Sequence, residues 1–430
     1  MEFPRARLPK MVSVRQQLPR EHLADVAAAV RHELRQGGLA ERVKPGQRVA
    51  ITAGSRGIAD IQLIIATLVG ELRALGAEPF IVPAMGSHGG ATVEGQRSVL
   101  AEYGITQREV GAPILATMDT VELDRLEDGT PVVLDRNAGE ADAIVVVGRV
   151  KAHTAFRGEI ESGLCKMTAI GLGKQLGAET IHSRGLRETI PEVAQITLAR
   201  SKIVLGLALV ENAYHQLHTI QAVAPDQFLD TDRALLKLAN ELLSRVPFEE
   251  LDLLIVDELG KNISGSGMDY NVVGMWRRIG GEKRPFYKRI AVLDLTPESE
   301  GNGLGVGIAD FTTRRLFERL DLHKTYMNAL TANAIETVPI PIILDSEREA
   351  LEVALKSANT SAPPRVVWIK NTLSLEWMLV SEALLPEVTG IETLVLEGRP
   401  AELAFDAEGN LVREAGRPVV GTPARLSVAR

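Results

Sequence analysis

The chain has 430 residues, a formal net charge of −8, 45% hydrophobic residues and only 4% aromatic ones. An acidic, aromatic-poor composition excludes a broad phosphate-binding surface and a base-stacking platform, so nucleic acid is not an expected partner. Small anions remain candidates, because one carboxylate needs only a few local cations. The single cysteine, Cys165, excludes an internal disulfide and a thiolate metal cluster.

The opening stretch MEFPRARLPKMVSV has no long apolar core and no cleavage pattern, so no signal peptide is expected. Eight short runs are apolar almost throughout: 48–54, 79–84, 142–150, 202–210, 251–259, 289–295, 339–345 and 365–370. They are rich in Val and Ile and do not alternate with polar residues, which predicts strands buried on both faces of helix-covered, mainly parallel sheets. Helical periodicity falls between them, at Ile58–Leu75, Thr231–Arg245, Thr312–Leu320 and Glu347–Ser357. The most apolar of these helices carries Asp60, Glu71 and Arg73, too polar to span a membrane. The expected location is the cytoplasm, with no membrane partner. The tail from Thr393 to Val412 reads as a hairpin turning at Asp406–Asn410.

At roughly 150 residues per domain the length allows two or three domains. The stretch SRVPFEE, where a helix ends at a proline, suggests a break near residues 246–250. The expected architecture is two α/β domains, residues 1–247 and 248–430, with an active-site cleft between them. The sequence does not disclose an oligomeric state.

Ligands of open α/β sheets bind beyond the carboxyl ends of the strands. Four of the predicted strands deliver a cation or an imidazole there: Arg56 in AGSRG, His88 in MGSHGG, His153 in KAHT and Lys261 in GKNISGSGMD. Each alone has an ordinary structural reading, as a turn arginine, a core histidine or a solvated lysine; their convergence on glycine-containing loops is the informative feature. The segment Lys151–Gly185 adds Lys166 and His182, in a chain with only 8 histidines. His215 and His218 in AYHQLH have metal-like proximity, but one helix or loop face explains it equally. IGLGKQLGA lacks the Walker pattern, no G-x-G-x-x-G follows the first strand, and the glycines of GNGLGVGIADFT suit close packing better than anion binding.

Arg56, His88, His153, Lys166 and His182, at intervals of 32, 65, 13 and 16 residues, resemble the nickel-dependent lactate racemase family. The resemblance covers about residues 45 to 215. It implies a racemase or epimerase that inverts C2 of a 2-hydroxy acid by proton-coupled hydride transfer to a nickel pincer nucleotide. It further implies that Lys166 tethers the cofactor covalently, His182 ligates nickel, His88 and His153 are the paired acid/bases, and Arg56 faces the substrate carboxylate. Cofactor-biosynthesis proteins would be partners. The chain departs from the family pattern in having Gly-Ser-Arg at the arginine loop, without its acidic residue, and ESGLCKM around the lysine in place of a more basic segment. Lys261 as a second substrate cation is an inference from its loop rather than from a family motif. Asn262, Ser264 and Asp269 beside it suit a polyhydroxylated or dicarboxylic substrate.

The chemistry asks for such residues. Loss of the C–H as a proton would leave a carbanion beside a carboxylate; loss as a hydride, with a base taking the hydroxyl proton, leaves a neutral ketone. Each enantiomer then needs a base on its own side, and imidazoles titrate in the required range. Arginine grips a carboxylate with two parallel hydrogen bonds, and imidazole suits nickel. Two other readings stay open: a lysine-dependent lyase or dehydrogenase acting on a small organic acid, and a non-catalytic organic-acid-binding protein.

Overall fold

The computed structural model describes residues 3–154, 156–360 and 362–421. The chain divides into two compact units, Pro19–Leu243 and a second made of Met1–Leu18 with Ser244–Arg430. Each is α/β.

In the first unit a five-stranded sheet runs in the order Glu78–Pro83, Arg48–Ala53, Ala143–Arg149, Ile203–Glu211, Leu217–Val223. The first four strands are parallel, and the last is antiparallel to its neighbour. These strands are apolar throughout because both faces are covered. Ala50, Val82, Ile144 and Val146 pack on one side with helices Lys174–Arg184, Leu186–Arg200 and Phe228–Leu242. Val49, Ile51, Ile81 and Val145 pack on the other with helices Val26–Gln36 and Ile61–Ala74. A separate two-stranded ladder, Thr120–Arg125 with Pro131–Asp135, lies outside this sheet.

The second unit holds an eight-stranded sheet ordered Ile342–Leu344, Phe311–Thr313, Phe286–Leu295, Glu250–Leu259, Val366–Asn371, Ser374–Ser381, Met11–Gln16, Leu394–Ala401. The first five strands are parallel and the remaining pairings antiparallel. All eight apolar runs of the sequence are strands. The predicted helices shift by a few residues, to Ile61–Ala74, Phe228–Leu242 and Arg314–Arg319, while Glu347–Ser357 stands as expected.

Two features differ from the sequence reading. Residues 1–18 do not join the unit that follows them: Met11–Gln16 is an internal strand of the second unit, with Val14 opposite both Met378 and Leu396. Sequence proximity does not register a strand whose partners lie more than 350 residues away. The tail makes its turn, with Asp406 N–H donating to Asn410 O at 2.9 Å, but Leu394–Ala401 pairs with Met11–Gln16 rather than with the chain beyond the turn. In GNGLGVGIADFT the glycines serve packing: a Cβ on Gly303 would lie 2.2 Å from Leu320 Cδ2.

Val14 has no solvent exposure. Val14→Asp is expected to cost about 3–5 kcal/mol, the penalty of an unpaired buried carboxylate. Hydrogen exchange should rise in Ser374–Ser381 and Leu394–Ala401 and stay unchanged in Arg48–Ala53; a rise confined to the Pro19–Leu243 unit would contradict this assignment of the N-terminal strand.

Candidate active site

The strand order of the first unit creates a switch point. From Arg48–Ala53 the chain moves to one side, to Glu78–Pro83, and later returns to the other, to Ala143–Arg149. Connections leaving the carboxyl ends of strands that diverge in this way leave space for a ligand. Arg56, His88 and His153 follow these three adjacent strands.

The loop after Glu78–Pro83 turns through Gly86 and Gly89, at φ +57° and +68°, conformations that glycine adopts without steric cost. A Cβ on Gly86 would lie 3.2 Å from Ile170 Cγ2 and 3.3 Å from Ala178 Cβ, so the loop is held close to the segment that carries Lys166 and His182. The His88 Nδ1 lies 2.8 Å from Met85 O. A carbonyl only accepts, so Nδ1 carries the proton and Nε2 is the basic nitrogen. Arg56 Nη2 lies 3.4 Å from that Nε2. Burial by surrounding protein, followed by the charge of Arg56, pushes the imidazole below its usual value; Lys166 and His182 add to this, while the Met85 bond opposes it. His88 keeps an exposed face.

Lys166 is positioned from far along the chain. Asp232, on helix Phe228–Leu242, is 1% exposed and accepts from Leu164 N at 3.0 Å and Cys165 N at 2.8 Å. The approach demands glycine at 163: φ is +91°, and a Cβ would sit 2.2 Å from Asp232 Oδ1. Leu164–Lys166 then runs into a π-helical turn, Met167–Gly171, a geometry that recurs at functional sites. Burial pushes the Asp232 carboxyl up to about 6, against the pull of the two N–H groups. Cys165 is fully buried, and burial with the adjacent Asp232 raises its thiol, so it is an inert packed residue.

The Lys166 side chain is half-buried, and among the described residues its amine has no hydrogen-bond or ion-pair partner. Burial first, then Lys151 and Arg56, lower it to about 7, with Glu161 pulling the other way. Its Nζ lies 6.0 Å from the centroid of the Phe156 ring. Phe156 also packs on His153, centroids 4.5 Å apart. Glu161, 3% exposed, folds the His153 loop by accepting from His153 N at 2.7 Å and Gly158 N at 3.2 Å. Ser162 Oγ closes the loop base, accepting from Lys151 N and donating to Lys151 O, both at 2.6 Å.

His182 lies on the exposed side of helix Lys174–Arg184. Its Nδ1 is 2.6 Å from Ala178 O, one turn back, which leaves Nε2 unprotonated in the neutral ring. The structure therefore places Arg56, Lys166 and His182 within electrostatic range of His88, and Arg56 within range of Lys166, while Phe156 and Glu161 link His153 to Lys166. Lys261 belongs to the other unit, in the loop after Glu250–Leu259, where its Nζ donates to Gly265 O and, at 2.8 Å, to Asn328 Oδ1. Its neighbours serve the same loop: Asn262 accepts from Thr296 Oγ1 and Asp269 caps Asn271 N. His215 occupies a turn at φ +57° within the field of Glu211, Arg149 and Lys151. His218 is on a strand, its ring bonded to Thr219 Oγ1.

Asp232, Glu161 and Phe156 escaped the sequence reading. Glu161 had a weak signal, an acid eight residues after a candidate histidine; Asp232 had none. Among the described residues, no group of three or more His, Cys, Asp or Glu is placed to hold a metal. A nickel ion here would take one imidazole nitrogen from the protein and its remaining donors from a bound cofactor. The bare His182 Nε2, the unpartnered amine of Lys166 and the cations Arg56 and Lys151 fit an anionic, covalently tethered group of that kind.

An amine titrating near 7 is largely neutral at pH 8, whereas an ordinary lysine is more than 99% protonated there. Competitive acetylation followed by peptide mass spectrometry should label Lys166 ahead of the exposed lysines at pH 7, with reactivity rising through pH 7 and levelling above it. Labelling no faster than Lys237 at every pH would contradict the assigned environment.

The sequence model described as "Lactate racemase N-terminal domain" matches residues 2–183. Among solved structures, the lactate racemase apoprotein from Thermoanaerobacterium thermosaccharolyticum aligns with a TM-score of 0.48 at 13% identity, over 85% of this chain and 99% of that one. No curated protein matches the sequence. Among the described residues, no helix is long and apolar enough to cross a membrane. The matched residues 2–183 contain Arg56, His88, His153, Lys166 and His182, so this part of the chain is similar to the lactate racemase N-terminal domain.

Proposed function

We propose that this protein is a racemase or epimerase that inverts C2 of a 2-hydroxy acid, with a nickel pincer nucleotide tethered through Lys166 and ligated by His182 Nε2. The observation that carries the proposal is the Lys166 amine, half-buried, unpartnered among the described residues and lowered to about 7, beside Arg56 and His88. When bound, the cofactor supplies a carbon that accepts a hydride and returns it.

The chain's own residues supply the rest. An amine that is neutral near pH 7 is the form that can be acylated, so its environment suits a covalent attachment. His88 holds Nδ1–H on Met85 O and turns Nε2 outward, ready to take the hydroxyl proton of one enantiomer. His153 is assigned the same task for the other, with its loop held by Glu161. Arg56 is assigned the substrate carboxylate; burial, followed by the charge of Arg56, lowers the His88 pKa, which favours the neutral ring with a free Nε2. Because that pKa lies below the usual imidazole value, the base is lost only as pH falls beneath the ordinary histidine range, and activity should decline on the acid side. Lys261 enters the proposal as a second substrate cation. Its Nζ donates to Gly265 O and Asn328 Oδ1, and a substrate carboxylate would accept from the same ammonium group. A polyhydroxylated or dicarboxylic acid suits the polar loop around it.

The same amine also favours a second reading, a lyase that forms an imine on Lys166. Borohydride in the presence of substrate would then fix a substrate-derived mass on that residue, whereas the racemase reading expects a nickel- and sulfur-containing adduct.

The decisive measurement is a screen of 2-hydroxy acids with cofactor-loaded protein in D2O. Stereoinversion without deuterium at C2 is expected, and deuterium uptake would refute hydride transfer. His88→Ala and His153→Ala should each lower the inversion rate about 10²–10⁴-fold. Lys261→Ala should raise KM about tenfold for any active substrate, the loss of one charge-assisted bond, with kcat little changed; an unchanged KM removes Lys261 from the proposal.

A further inference from the structure

Helix Lys174–Arg184 begins with a fully buried cation. Lys174 has no solvent exposure and adopts φ +56°, a left-handed conformation unfavourable for a side-chain-bearing residue. Its Nζ donates to Pro83 O at 2.8 Å and Gln96 Oε1 at 2.5 Å, and lies 3.3 Å from Asp135 Oδ2, also fully buried. Gln96, likewise without exposure, turns its amide to the next loop, donating to Gly86 O at 2.9 Å and His88 O at 3.3 Å. Asp135 is anchored in turn, accepting from Ala138 N at 3.1 Å. Desolvating such a pair commonly costs as much as its attraction returns, and an apolar replacement of equal size is often no less stable. Global stability is therefore a poor reason for this network.

Its connectivity gives a better one. Pro83 ends the strand before the His88 loop, Gln96 holds that loop's carbonyls, and Lys174 starts the helix that carries His182 in its last turn. We infer that Lys174 and Gln96 are positioning residues, a buried strut that sets the backbone of His88 relative to the helix presenting His182. Neither touches a reacting atom. The strut spans the two rings on which the proposed reaction depends, so its catalytic consequence rests on that reading, while its mechanical role does not.

Gln96→Glu separates the two. The substitution is nearly isosteric and keeps an acceptor for Lys174, but withdraws both donors from Gly86 O and His88 O. Hydrogen exchange of the full-length chain, without cofactor, should rise about tenfold in residues 84–92, the loss of about one hydrogen bond, with no change in Leu186–Arg200 and a melting temperature within a few degrees. The loaded variant should lose about tenfold in kcat with KM within a factor of about three, since His88 is misplaced while Arg56 is intact. The double variant Lys174→Met with Asp135→Asn removes both charges and should give the same local loosening. Unchanged exchange at residues 84–92 in either folded variant, or exchange rising evenly across the unit, overturns the inference, as does failure of both variants to fold, which would make the network purely structural. If exchange rises locally but no hydroxy acid is inverted even by the unmodified chain, the strut stands and the proposed reaction falls.

Discussion

The placement of one amine depends on a carboxylate 66 residues further along the chain. Asp232 caps the Leu164–Cys165 amides and thereby decides where Lys166 emerges. Because the cap fills the space where a side chain at 163 would lie, the segment can begin only with a glycine held in a left-handed turn. Asp232 is itself lodged in a helix packed into the sheet core, so the position of the lysine is tied to the least deformable part of the unit. Removing a carboxylate from water is unfavourable, as the raised pKa of Asp232 records; two orphan N–H groups at the helix start offset part of that cost.

Around that amine the field is positive. Lys151 and Arg56 act on it as cations and Glu161 as an acid, and burial followed by the charge of Arg56 holds the His88 imidazole below its usual value. Like charges gathered around one amine repel one another, and an anionic occupant relieves that repulsion. The switch point of the sheet makes the gathering possible. Three neighbouring strands end at the same edge, and their loops meet although the residues they carry are separated by 32 and 65 positions.

His88 and His182 share a device. Each places Nδ1 on a main-chain carbonyl, of Met85 and Ala178 respectively, which selects the tautomer and aims Nε2 away from the backbone. In the proposed reaction one nitrogen so presented would serve as a base and the other as a metal donor, so the same ring geometry would suit both roles. Rigid carbonyl partners also limit rotation about χ2, so the two lone pairs keep their directions when the site fills.

Much of the scaffold was legible in the chain. Buried parallel strands read as uninterrupted Val- and Ile-rich runs, because each face meets a helix, and all eight such runs are strands. Antiparallel strands such as Met11–Gln16 and Ser374–Ser381 carry mixed burial, so their runs are broken and went unread. Arg56, His88, His153, Lys166 and His182 were visible because chemistry-bearing side chains stood on glycine-containing loops after those runs. Asp232, Glu161, Gln96 and Lys174 were not, since a side chain that caps or braces another segment leaves no period in its own. The sequence by itself thus determined the buried parallel strands, the loops that follow them and the candidate side chains on those loops, all of which express local pattern. Only the tertiary structure decided which strand neighbours which, which nitrogen of each imidazole is bare and what sets the lysine's charge, because these follow from contacts between residues tens to hundreds of positions apart.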